Sequence, residues 1–174
     1  MYIGHVGVAL GAKRVRPSIG LLVLLVSTYA PDWVDGGLCL AGAYNPSGVL
    51  SHSIPVVALM ALLSFALYAI RTRDWTGALV VGAVIVSHML LDWITGYKLT
   101  WPGGTMIGLR LYDRPILDFI AEGVVIVVGA GLWAQTLPPR KRSWINVAVL
   151  LGALLALQLG VDVAHPIMKS ITKC

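Results

Sequence analysis

Four long apolar runs, residues 54–70, 76–94, 116–137 and 145–164, divide the chain, and none carries more than two charged residues. Each has about the 17–25 residues that cross hydrocarbon as a helix. Gly, Ala and Ser recur within them, as in helices that pack closely in lipid. Ahead of these runs, residues 2–12 are apolar but too short to span. A basic turn at 13–17 follows, and then a longer apolar stretch at 18–33. This pattern predicts a half-helix packed against a longer partner. The segments between are irregular: 35–51 is rich in Gly and carries Asn45 and Pro46, 71–74 and 138–143 are short and basic, and 96–114 is longer. There is no internal repeat, linker or low-complexity tract. The predicted fold class is all-α, a polytopic membrane helical bundle of about five spanning helices plus a short N-terminal half-helix. Residues 1–174 form a single integral membrane domain.

Composition strengthens the membrane reading. Hydrophobic residues make up 57% of the 174 and charged residues 12%, with a mean hydropathy of +0.82. Soluble chains carry about 25% charge, and a domain this small cannot bury so much apolar surface within itself. The net charge of +5 comes from short clusters between apolar runs. It offers no continuous basic face and no stacking platform, so a nucleic-acid partner is not expected. Cys39 and Cys174 form no CxxC pair and have no zinc-ligand spacing. The charges at 13–16 followed by 19–26 have the outline of a signal peptide. The apolar residues before them are not an ordinary n-region, and His5 would be lost with cleavage.

Charge also predicts orientation. Lys13, Arg14, Arg16, Arg71, Arg73, Arg140, Lys141 and Arg142 fall at one end of the expected helices. Lys98, Arg110, Arg114, Lys169 and Lys173 fall at the other. The richer side is expected in the cytoplasm. Tryptophans and tyrosines near both boundaries form an aromatic belt. On this map only Asp74 of the eight acidic residues lies at the cytoplasmic end. Asp32, Asp35, His52, His88, Asp92, Asp118, Glu122, Asp162 and His165 lie at the outer end, and His5 points toward it. His5 stands eight residues before Lys13, about 12 Å along a helix.

Several of these residues have ligand-like spacing. His88 and Asp92, four apart, share a helix face in apolar surroundings. Ionisable groups within a membrane segment are costly and normally have partners. Such a pair can hold a metal or can simply hydrogen-bond and orient a helix. Asp32 and Asp35 are read at a helix C-terminus, where carboxylates meet the negative end of the dipole and require a cation, either a metal or an Arg. His52, flanked by Ser51 and Ser53, and His5 are weak signals alone. Together the histidines and aspartates form a set suited to Zn²⁺ or Mn²⁺. Asp118 and Glu122, also four apart, are read as site carboxylates or as partners of Arg110 or Arg114. Those two guanidiniums could instead clamp a phosphate. Asp162 and His165 are read as a surface pair at a helix end.

Gly4-His5, Pro31-Asp32-Trp33-Val34-Asp35, His52-Ser53, Ser87-His88 through Asp92, and Trp101-Pro102 occur in order along the chain. This ordered set resembles the YdjM-like integral membrane proteins, described as predicted membrane-bound metal-dependent hydrolases. That family is in turn distantly similar to the zinc-dependent phospholipase C and P1 nuclease group. The resemblance implies a metal site from Asp32 or Asp35, His52, His88 and Asp92, with His5 sharing Asp92 with a second ion. It likens Asp118 and Glu122 to a helical His-x-x-x-Glu of the phospholipases. Here Asp118 replaces that histidine, so one or two ions are expected rather than three.

The expected function is a metal-dependent hydrolase of the inner membrane, with zinc as the first choice of cofactor. Its substrate is lipid or lipid-linked, a phosphoester first, at the outer leaflet. Metal ligands are His5, Asp32, Asp35, His52, His88 and Asp92. Glu122, Asp118 and Asp35 are the candidate proton acceptors, and Arg110 and Arg114 the candidate substrate contacts. Two other classes compete: an ion- or proton-coupled transporter, and a non-catalytic scaffold with a structural metal.

Overall fold

The computed structural model describes residues 2–43 and 48–171, with side chains to residue 165. The expected turn at Asn45 and Pro46, the side chain of Lys169, and Lys173 and Cys174 lie outside the described residues. Seven α-helices are found among the described residues: α1 Gly4–Val15, α2 Leu21–Thr28, α3 Ala30–Leu40, α4 Ile54–Thr72, α5 Trp75–Thr95, α6 Pro115–Ala134 and α7 Trp144–Ile171. The only sheet among them is an antiparallel pair between α5 and α6, β1 Lys98–Leu99 and β2 Met106–Ile107, with Lys98 opposite Ile107. The molecule is an all-α bundle, as the apolar runs predict.

Helices α4, α5, α6 and the stretch Trp144–His165 of α7 are long and apolar enough to cross a membrane, with mean hydropathy between 1.9 and 2.2. Their leucines stand outward. Leu59, Leu62, Leu63 and Leu67 of α4 are all more than half exposed, a face that only hydrocarbon would solvate well. Inside, small apolar clusters join the helices. Ala9, Ile19, Leu24 and Val84 bind α1 and α2 to α5, and Leu10, Ile126 and Leu154 bind α1 to α6 and α7.

The stretch expected as one helix over 18–33 is two. The chain breaks at Tyr29 (φ −96°, ψ 12°), and α3 begins with Pro31 in its first turn. A proline there has no N–H to donate, and its ring would clash with a carbonyl of a continuing helix. Two consequences follow. Asp32 sits in the first turn of α3, not the last turn of its predecessor, so it faces the positive end of a helix dipole. Helix also continues to Leu40, through the segment expected to be irregular from residue 35.

Helix α1 is the short element the sequence predicts, and it is braced along its length. At its end Lys13 Nζ donates to the carbonyls of Pro17 and Ile19. Arg16 donates to both oxygens of Asp74, at 3.0 and 2.9 Å. Asp74 also caps α5 by accepting from the Gly77 amide. The Arg16 guanidinium and that amide hold the Asp74 carboxyl below its ordinary range. Midway, α1 lies directly against α6 through glycine. A Cβ built on Gly129 would fall 1.9 Å from the Gly7 carbonyl oxygen, and one on Gly7 would fall 2.4 Å from that of Val125. Only the absence of side chains permits this approach.

This packing can be tested by paired substitutions. Gly129→Ala should force α1 from α6 and cost about 1–3 kcal/mol by overpacking. Gly131→Ala, whose Cβ meets nothing within 4 Å, should be neutral or slightly stabilising through helix propensity. Thermal unfolding in detergent checks the contrast, and equal midpoints for the two variants would rule out the close crossing.

Candidate metal centre

The helix break at Tyr29 does more than redirect the chain. It leaves the carbonyl of Thr28, the last residue of α2, without a helical partner. His88, in the last turns of α5, lies with Nδ1 2.7 Å from that oxygen. A carbonyl can only accept, so Nδ1 carries the proton and the lone pair of a neutral His88 is on Nε2. Residues 48–53 form a tight turn before α4. Gly48 adopts φ +69°, and a Cβ there would press the His52 ring at 3.1 Å. His52 Nδ1 is 2.7 Å from Ser51 Oγ, which lies 3.3 Å from Asp35 Oδ1 and 3.4 Å from the Gly48 carbonyl. With the serine hydroxyl directed to either oxygen, His52 Nδ1 donates to Oγ, and its Nε2 is likewise a lone pair.

These nitrogens converge with two carboxylate oxygens. His52 Nε2 is 3.2 Å from Asp32 Oδ1, 3.4 Å from Asp92 Oδ2 and 3.2 Å from His88 Nε2. His88 Nε2 is 3.5 Å from Asp32 Oδ1 and 3.7 Å from Asp92 Oδ2. Four corners of a tetrahedron about 2.0–2.1 Å from a zinc ion stand about 3.3–3.4 Å apart. The five spacings, 3.2–3.7 Å, lie near that edge, and Asp32, His52 and His88 form one group able to hold an ion. The donor set fits a divalent ion of zinc's size.

His5 adds a fifth imidazole-or-carboxylate group. It is fully buried, stacked on His88 with ring centroids 3.9 Å apart, and its Nε2 is 3.4 Å from Asp92 Oδ1. Neither of its ring nitrogens has a hydrogen-bond partner among the described residues. Asp92 thus turns one oxygen to His5 and the other to His52 and His88, and His5, His88 and Asp92 make a second group able to hold an ion. Burial lowers His5 to about 4, so it is neutral near pH 7. Asp32 is also the open edge of the set: its side chain is 42% exposed, against 4% for Asp92 and 1% or less for the histidines.

Five of the six expected ligands therefore come together: His5, Asp32, His52, His88 and Asp92. Asp35 stands one step back, reaching His52 through Ser51. Asp118 and Glu122 belong to a neighbouring cluster. Both oxygens of Glu122 accept from backbone, from Tyr2 at 2.7 Å and Gly4 at 2.9 Å, while Gln158 Oε1 accepts from Ile3 at 3.1 Å. Three amides at the start of α1, which has no capping side chain of its own, are thus satisfied from α6 and α7. Asp118 is buried in the same cluster beside Asp162. The surface pair expected of Asp162 and His165 is corrected. Asp162 is buried and accepts from Gln158 Nε2 at 2.7 Å, and His165 Nδ1 lies 2.5 Å from the Tyr2 hydroxyl. The signal was available: Gln158, Asp162 and His165 follow an i, i+4, i+7 stripe that turns one face of α7 inward.

The expected arginines do not pair with Glu122. The Arg110 guanidinium lies over the Tyr97 ring, 3.9 Å from its centroid, and the Arg114 carbonyl accepts from the first amides of α6. Among the described residues, the cation beside the donors is Lys98, with Nζ 3.6 Å from Asp92 Oδ2. Charge counting had assigned it to the outer end and nothing more. Thr28 and Ser51, the partners that orient the histidines, also escaped the sequence, since one acts through its backbone and the other looks like a helix cap.

Removing the carboxylate that holds α1 gives a direct check. Glu122→Ala leaves two amides unpaired and should cost about 1–3 kcal/mol for each that stays buried. Glu122→Gln, which keeps one acceptor oxygen, should retain part of that stability. Unfolding midpoints in detergent read the difference, and a wild-type midpoint for Glu122→Ala would show that the cap is dispensable.

No curated protein and no solved structure matches the chain. The sequence profile of the family described as YdjM inner membrane protein matches residues 1–165, a span that takes in both polar clusters. The chain is therefore a member of the YdjM inner membrane protein family, and with four helices able to span it is a membrane protein.

Proposed function

We propose that this protein is a metal-dependent hydrolase that cleaves a lipid-linked substrate, a phosphoester first, at the outer leaflet. The observation that carries the reading is the convergence of Asp32, His52 and His88 as one group able to hold an ion, with Asp92 3.4 Å from His52 and 3.7 Å from His88. A bound divalent ion supplies a water acidic enough to ionise near neutral pH and polarises the scissile group. The chain's own residues do the rest. Thr28 and Ser51 fix the ring orientations, as partners behind metal ligands generally do. His5, buried with its Nε2 3.4 Å from Asp92 Oδ1, is the base that takes the proton of the attacking water. Asp35 acts through Ser51, and Glu122 keeps α1 and hence His5 in position.

The lipid-linked substrate draws support from a second feature. A groove of about 560 Å³ runs between α1, α5 and α6, with Gly7 and Gly11 on α1, Val80 and Val84 on α5, and Val124 and Val128 on α6 among its lining. Two of its walls, α5 and α6, are spans, so it opens at hydrocarbon depth, and its lining includes Ser87, the neighbour of His88. An acyl or isoprenoid chain suits such a lining. Four protein donors also suit a closed structural metal, so a scaffold is the second reading. The 42% exposure of Asp32 favours an ion that substrate or water can reach.

Metal analysis of the purified protein tests the first step. Wild type should carry about one zinc per chain, and His52→Ala and His88→Ala should each lose it, as expected when a tetrahedral site loses a ligand. A zinc-free wild type would remove the basis of the proposal. Zinc-loaded protein that leaves a lipid phosphoester and a chromogenic phosphodiester intact would favour the scaffold. The outer-leaflet assignment rests on the charge bias at the two bundle ends. A reporter active only outside the cytoplasm, fused after residue 174, should be active; a silent fusion beside an active cytoplasmic reporter would reverse the orientation.

A further inference from the structure

We propose that Lys98 is the anion-recognition residue of the metal centre, holding a phosphoryl oxygen of the substrate beside the ion. This rests on the hydrolase reading and narrows its substrate to an anionic one. Lys98 Nζ lies 3.6 Å from Asp92 Oδ2, outside the ring of donors yet beside it. Its side chain is 24% exposed and that of Asp32 42%, while His5, His52, His88 and Asp92 are buried. Asp92 already meets His5, His52 and His88, so it does not need a lysine once an ion is bound. An ammonium and a divalent cation this close repel each other, and an anion between them removes the repulsion.

The lysine is held there by its backbone. After α5 the chain returns on itself: the Leu109 amide donates to the Trp93 carbonyl at 3.0 Å and Arg110 to Gly96 at 3.1 Å. Gly108, at φ +139°, makes the return possible, since a Cβ would fall 2.1 Å from the Gly96 oxygen. On its other side the hairpin accepts from the first amide of α4, Ile54 to Thr100 at 2.9 Å. The hairpin thus spans the end of α5, which supplies His88 and Asp92, and the start of α4, which follows His52. Lys98, in β1, is fixed relative to both.

Charge then selects the substrate. The carboxylates of Asp32 and Asp92 match the charge of a divalent ion, and Lys98, 3.6 Å from Asp92 Oδ2, adds a positive charge beside them. A phosphodiester brings one negative charge and oxygens for both cations. A carboxylic ester or amide brings no such charge.

The test uses the full chain in detergent, loaded with zinc, as wild type, Lys98→Met and Lys98→Arg. Inorganic phosphate is the probe, and zinc affinity is measured in parallel by chelator competition. Phosphate binding should weaken about tenfold or more in Lys98→Met, the loss of one charge-assisted hydrogen bond. It should be largely kept in Lys98→Arg, with zinc affinity undiminished in both. Equal phosphate affinity in wild type and Lys98→Met would overturn the role of Lys98 and leave the metal site standing. Loss of zinc in Lys98→Met would also overturn it, by showing that the lysine supports the ligands. Failure of the wild type to bind zinc would instead sink the reading beneath.

Discussion

Lone pairs that face one another at about 3.5 Å repel, and in apolar surroundings no water relieves them. Asp32, His52, His88 and Asp92 stand in that relation, and much of the bundle's outer end is arranged to hold them there. Each comes from a different kind of local structure: the first turn of a helix, a glycine-dependent turn, and successive turns of a span. Left free, these groups would separate. What prevents this is a set of backbone and hydroxyl partners on their far sides, with the Thr28 carbonyl behind His88 and Ser51 behind His52. The metal reading rests on this convergence rather than on the spacing of any one motif.

The short helix α1 has a special place in this arrangement. It carries His5, yet it is too short to be fixed by the membrane itself. Three independent restraints locate it. Glu122 and Gln158 take up its first amides, glycine contacts set its distance from α6, and Lys13 and Arg16 tie off its end. The acidic cluster around Glu122 therefore belongs to the support of the candidate metal centre rather than to its donors. Two clusters that look alike in composition differ in that one offers lone pairs to a common centre and the other spends them on backbone N–H groups.

Much of this was legible in the sequence. Charge-poor runs of spanning length mark the four long helices to within a few residues, because in lipid a helix must satisfy its own backbone. Histidine and aspartate at one end of those runs mark the donor set, because such groups are too costly there without partners. What failed is also instructive. The helix over 18–33 was read through Pro31 because its apolar pattern continues, and the pattern does not register a missing amide. That one error reversed the dipole argument for Asp32: the carboxylate that needed a compensating cation at a helix C-terminus is in fact favoured at an N-terminus. Asp162 and His165 were read as surface because they close a helix, although their stripe with Gln158 faces inward.

Lys98 shows a different limit. Nothing in its neighbourhood, a two-residue strand in an irregular stretch, distinguishes it from Arg110 or Arg114, which are better phosphate forks by chemistry. Proximity to the donors is decided by the fold-back at Gly108 and by the hydrogen bond from Ile54 to Thr100, a contact between segments more than forty residues apart. The arginines are diverted by the same fold-back, Arg110 onto the ring of Tyr97. Residue type states what a cation could do, and topology decides which cation is present to do it. In this bundle the chemistry of the ligands is written locally, while the charge that would choose among substrates is set by the path of one hairpin.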